Sequence, residues 1–176
     1  MSGDWNGDGI LELMWSREAP GFSDISYSES RWINDWMQWN GRDGFDKIGE
    51  EYSDYRYGLQ LRIPELWTGR YTLYEVVDDP FAITAIGYWN EQTNETAELA
   101  RLYAVPLKKW ESVEAEWNQQ SRNYSRLMTD SGNIFAVSFV QDIPEGLSAE
   151  DKQAFGEMLG AEAELADYVT IRNDFY

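Results

Sequence analysis

Apolar positions recur along this chain in short runs broken by turn residues, a spacing that predicts mostly strands first and amphipathic helices later. Ile10 to Trp15, directly after Gly9, is too short for a stable helix and reads as a strand ending before the turn-rich residues 18–23. Residues 31–39 leave two readings open, because Trp32, Ile33, Trp36 and Met37 fit one helical face while their bulk suits a strand. Asn40-Gly41 and Asp43-Gly44, both strong hairpin dipeptides, follow, and Phe45 to Tyr52 reads as the return strand. The hairpin reading is preferred.

A change in composition at 53–56 closes this Trp-rich front, giving an expected β region over 1–53 and a second domain over 54–176. Tyr57 to Ile63 alternates around Leu59, Leu61 and Ile63 until Pro64. Arg70 to Val77 and Phe81 to Trp89 flank the Asp78-Asp79-Pro80 turn and complete a three-stranded meander. Leu99 to Val105 adds a strand, and Pro106 opens a helix with Trp110, Val113 and Trp117 on one side. Tyr124 to Met128 and Ile134 to Val140 flank a hairpin turn at Asp130-Ser131-Gly132-Asn133. A last helix starts at Ser148, whose hydroxyl suits an N-cap, and carries Phe155, Met158, Leu159, Leu165 and Val169 on one stripe. Its opposite face is acidic. Two amphipathic helices covering an antiparallel sheet predict an α+β domain, preceded by a Trp-rich β-hairpin region.

Composition narrows the function classes. The 176 residues suffice for a full domain, and an aromatic content of 15%, with nine Trp, does not fit a disordered chain. With 32 acidic against 14 basic residues the net charge is −18, which argues against DNA, RNA or an anionic membrane face as partner. Cys and His are both absent, which removes disulfides, thiolate and imidazole metal sites, and every Ser-His-Asp relay. Phe81 to Trp89, the longest nearly apolar run, falls far short of the roughly 20 residues of a membrane helix. Met1-Ser2-Gly3 leads into the first motif with none of the features of a signal peptide, so the chain reads as a trimmed fragment.

The sharpest chemistry lies in Asp4-Trp5-Asn6-Gly7-Asp8-Gly9-Ile10-Leu11-Glu12. Oxygen ligands at loop positions 1, 3 and 5, a glycine at 6, a carbonyl at 7 and a carboxylate at 9 match how a short loop wraps a hard cation. Asp4, Asn6, Asp8, Ile10 through its carbonyl, and Glu12 are the expected ligands, with calcium as the ion. Trp15 stands where an EF-hand has its bidentate glutamate, so this is not an EF-hand. The competing reading is an Asx-rich turn whose carboxylates bond their own backbone. Trp32, Trp36 and Trp39 are a candidate ligand surface, a platform for sugar rings, set against the more common use of such rings in a core. The doublets Glu50-Glu51 and Asp78-Asp79 lie beside turn residues and read as solvated charges rather than as paired glycosidase carboxylates.

Asp4 to Leu13 resembles the calcium-loop-plus-strand signature of FG-GAP or VCBS-type propeller blades, common in exported bacterial proteins. The remainder is similar to a module of lipoproteins and surface proteins of Gram-positive gut bacteria. Tyr57-Gly58, the alternating apolar positions, Pro64 and Trp67 carry that likeness, with the Pro106 helix start, the 130–133 hairpin and the Ser148 helix in the same order. The nearest fold is the PsbP-like α/β/α sandwich. These resemblances imply an extracytoplasmic, non-enzymatic binding or structural domain, secreted or lipid-anchored at the cell surface through an upstream segment. They imply calcium on the loop residues, no catalytic residue, and a cell-surface protein or glycan as partner. A single blade cannot close a propeller, so residues 1–53 are expected to pack on the second part, on further chain or in an oligomer. The runner-up is a carbohydrate-binding or carbohydrate-active protein working through Trp32, Trp36 and Trp39.

Overall fold

The computed structural model describes residues 2–22 and 29–172. Its strands are β1 (Ser2–Gly3), β2 (Glu12–Glu18), β3 (Trp32–Trp39), β4 (Phe45–Asp54), β5 (Leu59–Arg62), β6 (Tyr71–Tyr74), β7 (Ala82–Trp89), β8 (Thr96–Pro106), β9 (Asn123–Asp130), β10 (Asn133–Phe139) and β11 (Val169–Ile171). The helices are α1 (Trp110–Gln119) and α2 (Ala149–Leu159), with 3-10 turns at Glu65–Trp67, Leu107–Lys109 and Glu162–Tyr168. One sheet runs β1-β2-β3-β4-β5-β11 and the other β6-β7-β8-β10-β9, with antiparallel neighbours throughout. Strand occupies 44% of the described residues and helix 21%. The expected α+β sandwich, a single sheet covered by two helices, is therefore corrected to a mostly β protein of two sheets, one curled like half a barrel.

Two local causes explain the difference. The three strands expected as one meander part company at Pro64: β5 stays with the front sheet, while β6 and β7 start the second. Between them the 3-10 turn drops Trp67 into the core, where its indole N–H donates to the Met158 carbonyl at 2.9 Å. The second cause is the end of α2. Its start is as the sequence suggests, with the Asp151 N–H donating to the Ser148 hydroxyl at 3.1 Å, and Phe155 and Met158 are fully buried. At Gly160, a poor helix residue, the N–H turns back to the Glu157 carbonyl and the chain tightens into the 3-10 turn. Leu165 and Val169 are still buried, but from that turn and from β11, which pairs with β5.

Both sheets share one core. Ile33, Tyr52, Leu59 and Leu61 of the front sheet pack in one cluster with Leu73, Ile86, Leu102, Phe135 and Phe155. The alternate residues of β8 and β10, Tyr103, Val105, Ile134 and Ala136, face away and bury Trp110, Val113 and Trp117 of α1. That two-sided burial is why β8 and β10 read as nearly continuous apolar runs. The position expected as a domain boundary, between 53 and 54, falls inside β4, and the front sheet continues beyond it through β5 and β11.

Candidate functional site

The Asp4–Glu12 loop folds back on the end of β2. Asp4 accepts the N–H groups of Gly7 (2.7 Å) and Gly9 (3.1 Å), Asn6 accepts Asp8 N–H (2.9 Å), and Asp8 accepts Ile10 N–H (2.8 Å). Gly9 sits at φ +84°, a left-handed conformation that suits glycine at the tight turn. Oxygens of Asp4, Asp8 and Glu12 all lie within 4.8 Å of one another. Calcium bonds oxygen at about 2.3–2.6 Å, so ligands facing each other across an ion stand about 5 Å apart, a spacing these three carboxylates match, while their oxygens here accept N–H groups of the loop and of Gln38, the pattern of the competing Asx-rich turn. Gln38 of β3 donates its amide N–H to Asp8 (2.6 Å) and to Glu12 (3.2 Å), so one amide dipole lies between two carboxylates. The Gln38 bond, with help from the Ile10 N–H, holds the Asp8 carboxyl below its ordinary pKa. Glu12 is fully buried and also accepts the Trp5 N–H at 2.6 Å.

Trp5 ties this loop across the outer face of the front sheet. Its ring stacks on Trp36 at 6.0 Å and 20°, lies 4.6 Å under the Arg62 guanidinium, and donates its indole N–H to Glu51 at 3.0 Å. Gly49 makes room for it: a Cβ there would stand 2.1 Å from the ring. Gly49→Ala is therefore expected to unseat Trp5 and cost about 1–2 kcal/mol, the sum of one ring stack and one cation–π contact. Thermal melting and near-ultraviolet circular dichroism check this, and an unchanged melting point with an unchanged aromatic spectrum contradicts it. Beneath Trp5 a polar ladder crosses the sheet, from Ser16 to Asn34 (2.7 Å), Asn34 to Ser53 (3.2 Å), Ser53 to Glu51 (2.9 Å) and Gln60 to Glu51 (3.1 Å).

The opposite, core-facing side carries Arg17, Asp35, Lys47 and Glu50. Arg17 bonds Asp35 at 2.9 Å and Glu50 at 3.3 Å, Lys47 also pairs with Glu50, and the Tyr71 hydroxyl donates to Glu50 at 2.6 Å. Burial works to raise the Glu50 carboxyl, but bonds from Lys47 and Tyr71 and the charges of Lys47 and Arg17 outweigh it and leave the pKa lowered. Burial, with Glu50 close by, pushes Tyr71 well above the ordinary phenol range. Glu50 and Glu51 are both buried, not solvated as their turn-side position suggested, and they point to opposite faces of β4.

The three candidate tryptophans do not form one platform. Trp32 lines an open groove of about 760 Å³ with Arg31, Asn34, Tyr52 and Tyr55. Trp36 is 3% exposed under Trp5. Trp39 emerges at the far end of β3 on the core-facing side, its ring centroid 5.4 Å from that of Phe45, which in turn lies 6.2 Å from Trp15. Trp15 and Phe45 are exposed partners outside the expected ligand surface. The signal was present in the alternation: Leu13 and Trp15 share a face of β2, Met37 and Trp39 share the same face of β3, and Phe45 stands across the hairpin from Trp39.

No family model, curated protein or solved structure matches the chain. Among the described residues no helix is long and apolar enough to cross a membrane.

Proposed function

We propose that the chain is a non-enzymatic, extracytoplasmic binding domain of a bacterial surface protein or lipoprotein, with calcium bracing the Asp4–Glu12 loop. One observation carries the reading. The oxygen-rich loop and the exposed rings occupy opposite faces of the same strand ends, since Glu12 and Gln38 lie on one side of β2 and β3 and Leu13 and Trp39 on the other. An ion at the loop would fix the strand ends that present those rings. The loop's likeness to the propeller calcium signature supports export, and the charge of −18 suits a surface exposed to calcium.

Binding confined to the native state raises stability by about 2.7 kcal/mol at a hundredfold excess over the dissociation constant. Millimolar calcium is therefore expected to raise the melting temperature relative to excess chelator, and Asp8→Asn is expected to remove that rise. Coincident melting curves contradict the ion site. The binding role is tested by sedimenting the chain with purified Gram-positive cell envelopes. The expected result is calcium-dependent recovery in the pellet, and a chain left wholly in the supernatant with and without calcium overturns the reading.

A further inference from the structure

We propose that Trp15, Trp39 and Phe45 form a binding surface for neutral polysaccharide; the inference rests on the binding-domain reading and names its ligand class. The three residues belong to the face of the front sheet that buries Ile33 and Tyr52 against the second sheet. Toward the loop end that cover stops. Trp15 is 54% exposed, Trp39 46%, Phe45 39% and Leu13 37%, and none of them is part of the core. Exposed aromatic rings in mutual contact at the uncovered end of a sheet make a small apolar patch of the kind binding sites use.

Area and charge select the occupant. At about 150–250 Å² per aromatic side chain, three rings roughly half exposed offer on the order of 300 Å². A stable protein interface buries about 800 Å² per partner, of which about 450 Å² is apolar, so these rings alone fall short of one. Their area matches one or two sugar rings, whose C–H edges meet the electron-rich ring faces. The polar groups beside the rings are Arg17 and Lys47, facing Asp35 and Glu50: two cations set against two anions with no net charge. Both cations keep 39% of their side chains in solvent. Arg17 uses its Nε on Asp35 and one terminal nitrogen on Glu50, which leaves other N–H groups for hydroxyls. A pre-paired, neutral set of donors and acceptors beside aromatic rings fits a polyol, whereas the whole-chain charge of −18 repels an anionic glycan.

The test uses the full chain and a panel of maltohexaose, laminarihexaose, cellohexaose, xylohexaose and mannohexaose, read by calorimetry and tryptophan emission. At least one neutral hexasaccharide is expected to bind, with affinity unchanged between about 0.05 and 0.5 M salt, because screening has no charge to act on. Trp39→Ala and Trp15→Ala are each expected to weaken binding about tenfold or more while keeping the parent's far-ultraviolet circular dichroism and a cooperative melt, as both rings are surface anchors. Absence of binding across the panel overturns the proposal. So does binding that survives both substitutions and is lost in Trp32→Ala, which places the sugar in the groove. A dimer in sedimentation that Trp39→Ala dissociates also overturns it, the occupant then being a second copy. Envelope sedimentation separates the two levels: a chain that pellets equally well with and without Trp39 and Trp15 remains a binding domain, but not through these rings.

Discussion

Trp67→Ala is expected to lower the unfolding free energy by about 3–5 kcal/mol, the range for deleting a buried large aromatic side chain. Trp67 is fully buried in the short turn that hands the chain from β5 to β6, so it packs where the two sheets and α2 meet. Its loss opens a cavity and leaves the Met158 carbonyl without its side-chain donor. Trp67→Phe separates the two contributions: most of the ring is kept, and about 1–2 kcal/mol is expected from the lost indole hydrogen bond and the smaller ring, the Met158 carbonyl keeping the Ala161 N–H. Urea unfolding checks both. A midpoint for Trp67→Ala within error of the parent contradicts the shared core.

Glu50→Leu is expected to cost about 2–3 kcal/mol, less than the 3–5 kcal/mol of a wholly buried pair because Arg17 and Lys47 can turn to water. The substitution strips the partner from two cations and the acceptor from Tyr71. The pH dependence gives an independent reading. The folded-state pKa of Glu50 is depressed from its ordinary value of 4.5, so its contribution is present in full above that value and is lost as pH falls through the folded one. The parent is expected to lose stability more steeply on acidification below about pH 5 than Glu50→Gln does, because the variant has no such proton to take up. Parallel stability-against-pH curves contradict the role assigned to this carboxylate.

Local structure is legible in the chain where one physical cause dominates. The dipeptides at 40–44 turn β3 into β4, the Trp110, Val113 and Trp117 stripe lies on one buried face of α1, and Ser148 caps α2. Sheet membership was not legible, because nothing in the alternation of Leu59, Leu61 and Ile63 says which neighbour a strand will take. That choice is made by a turn with a single buried indole. The expectation of a longer last helix failed for a related reason: Leu165 and Val169 satisfy burial from a tighter turn and a strand as well as from a helix. For the candidate site, residue types were informative but faces were not. Trp36 and Trp39 sit an odd number of positions apart on one strand, so a platform built from both requires the helix that β3 does not form.

Oxidative footprinting of the individual tryptophans by hydroxyl radicals, read by mass spectrometry, tests most directly the claim that one end of the front sheet lies open. Rapid oxidation of Trp15 and Trp39 is expected, with strong protection of Trp36 and Trp67. Trp36 oxidised as fast as Trp39, or Trp15 and Trp39 protected in the free chain, contradicts that claim.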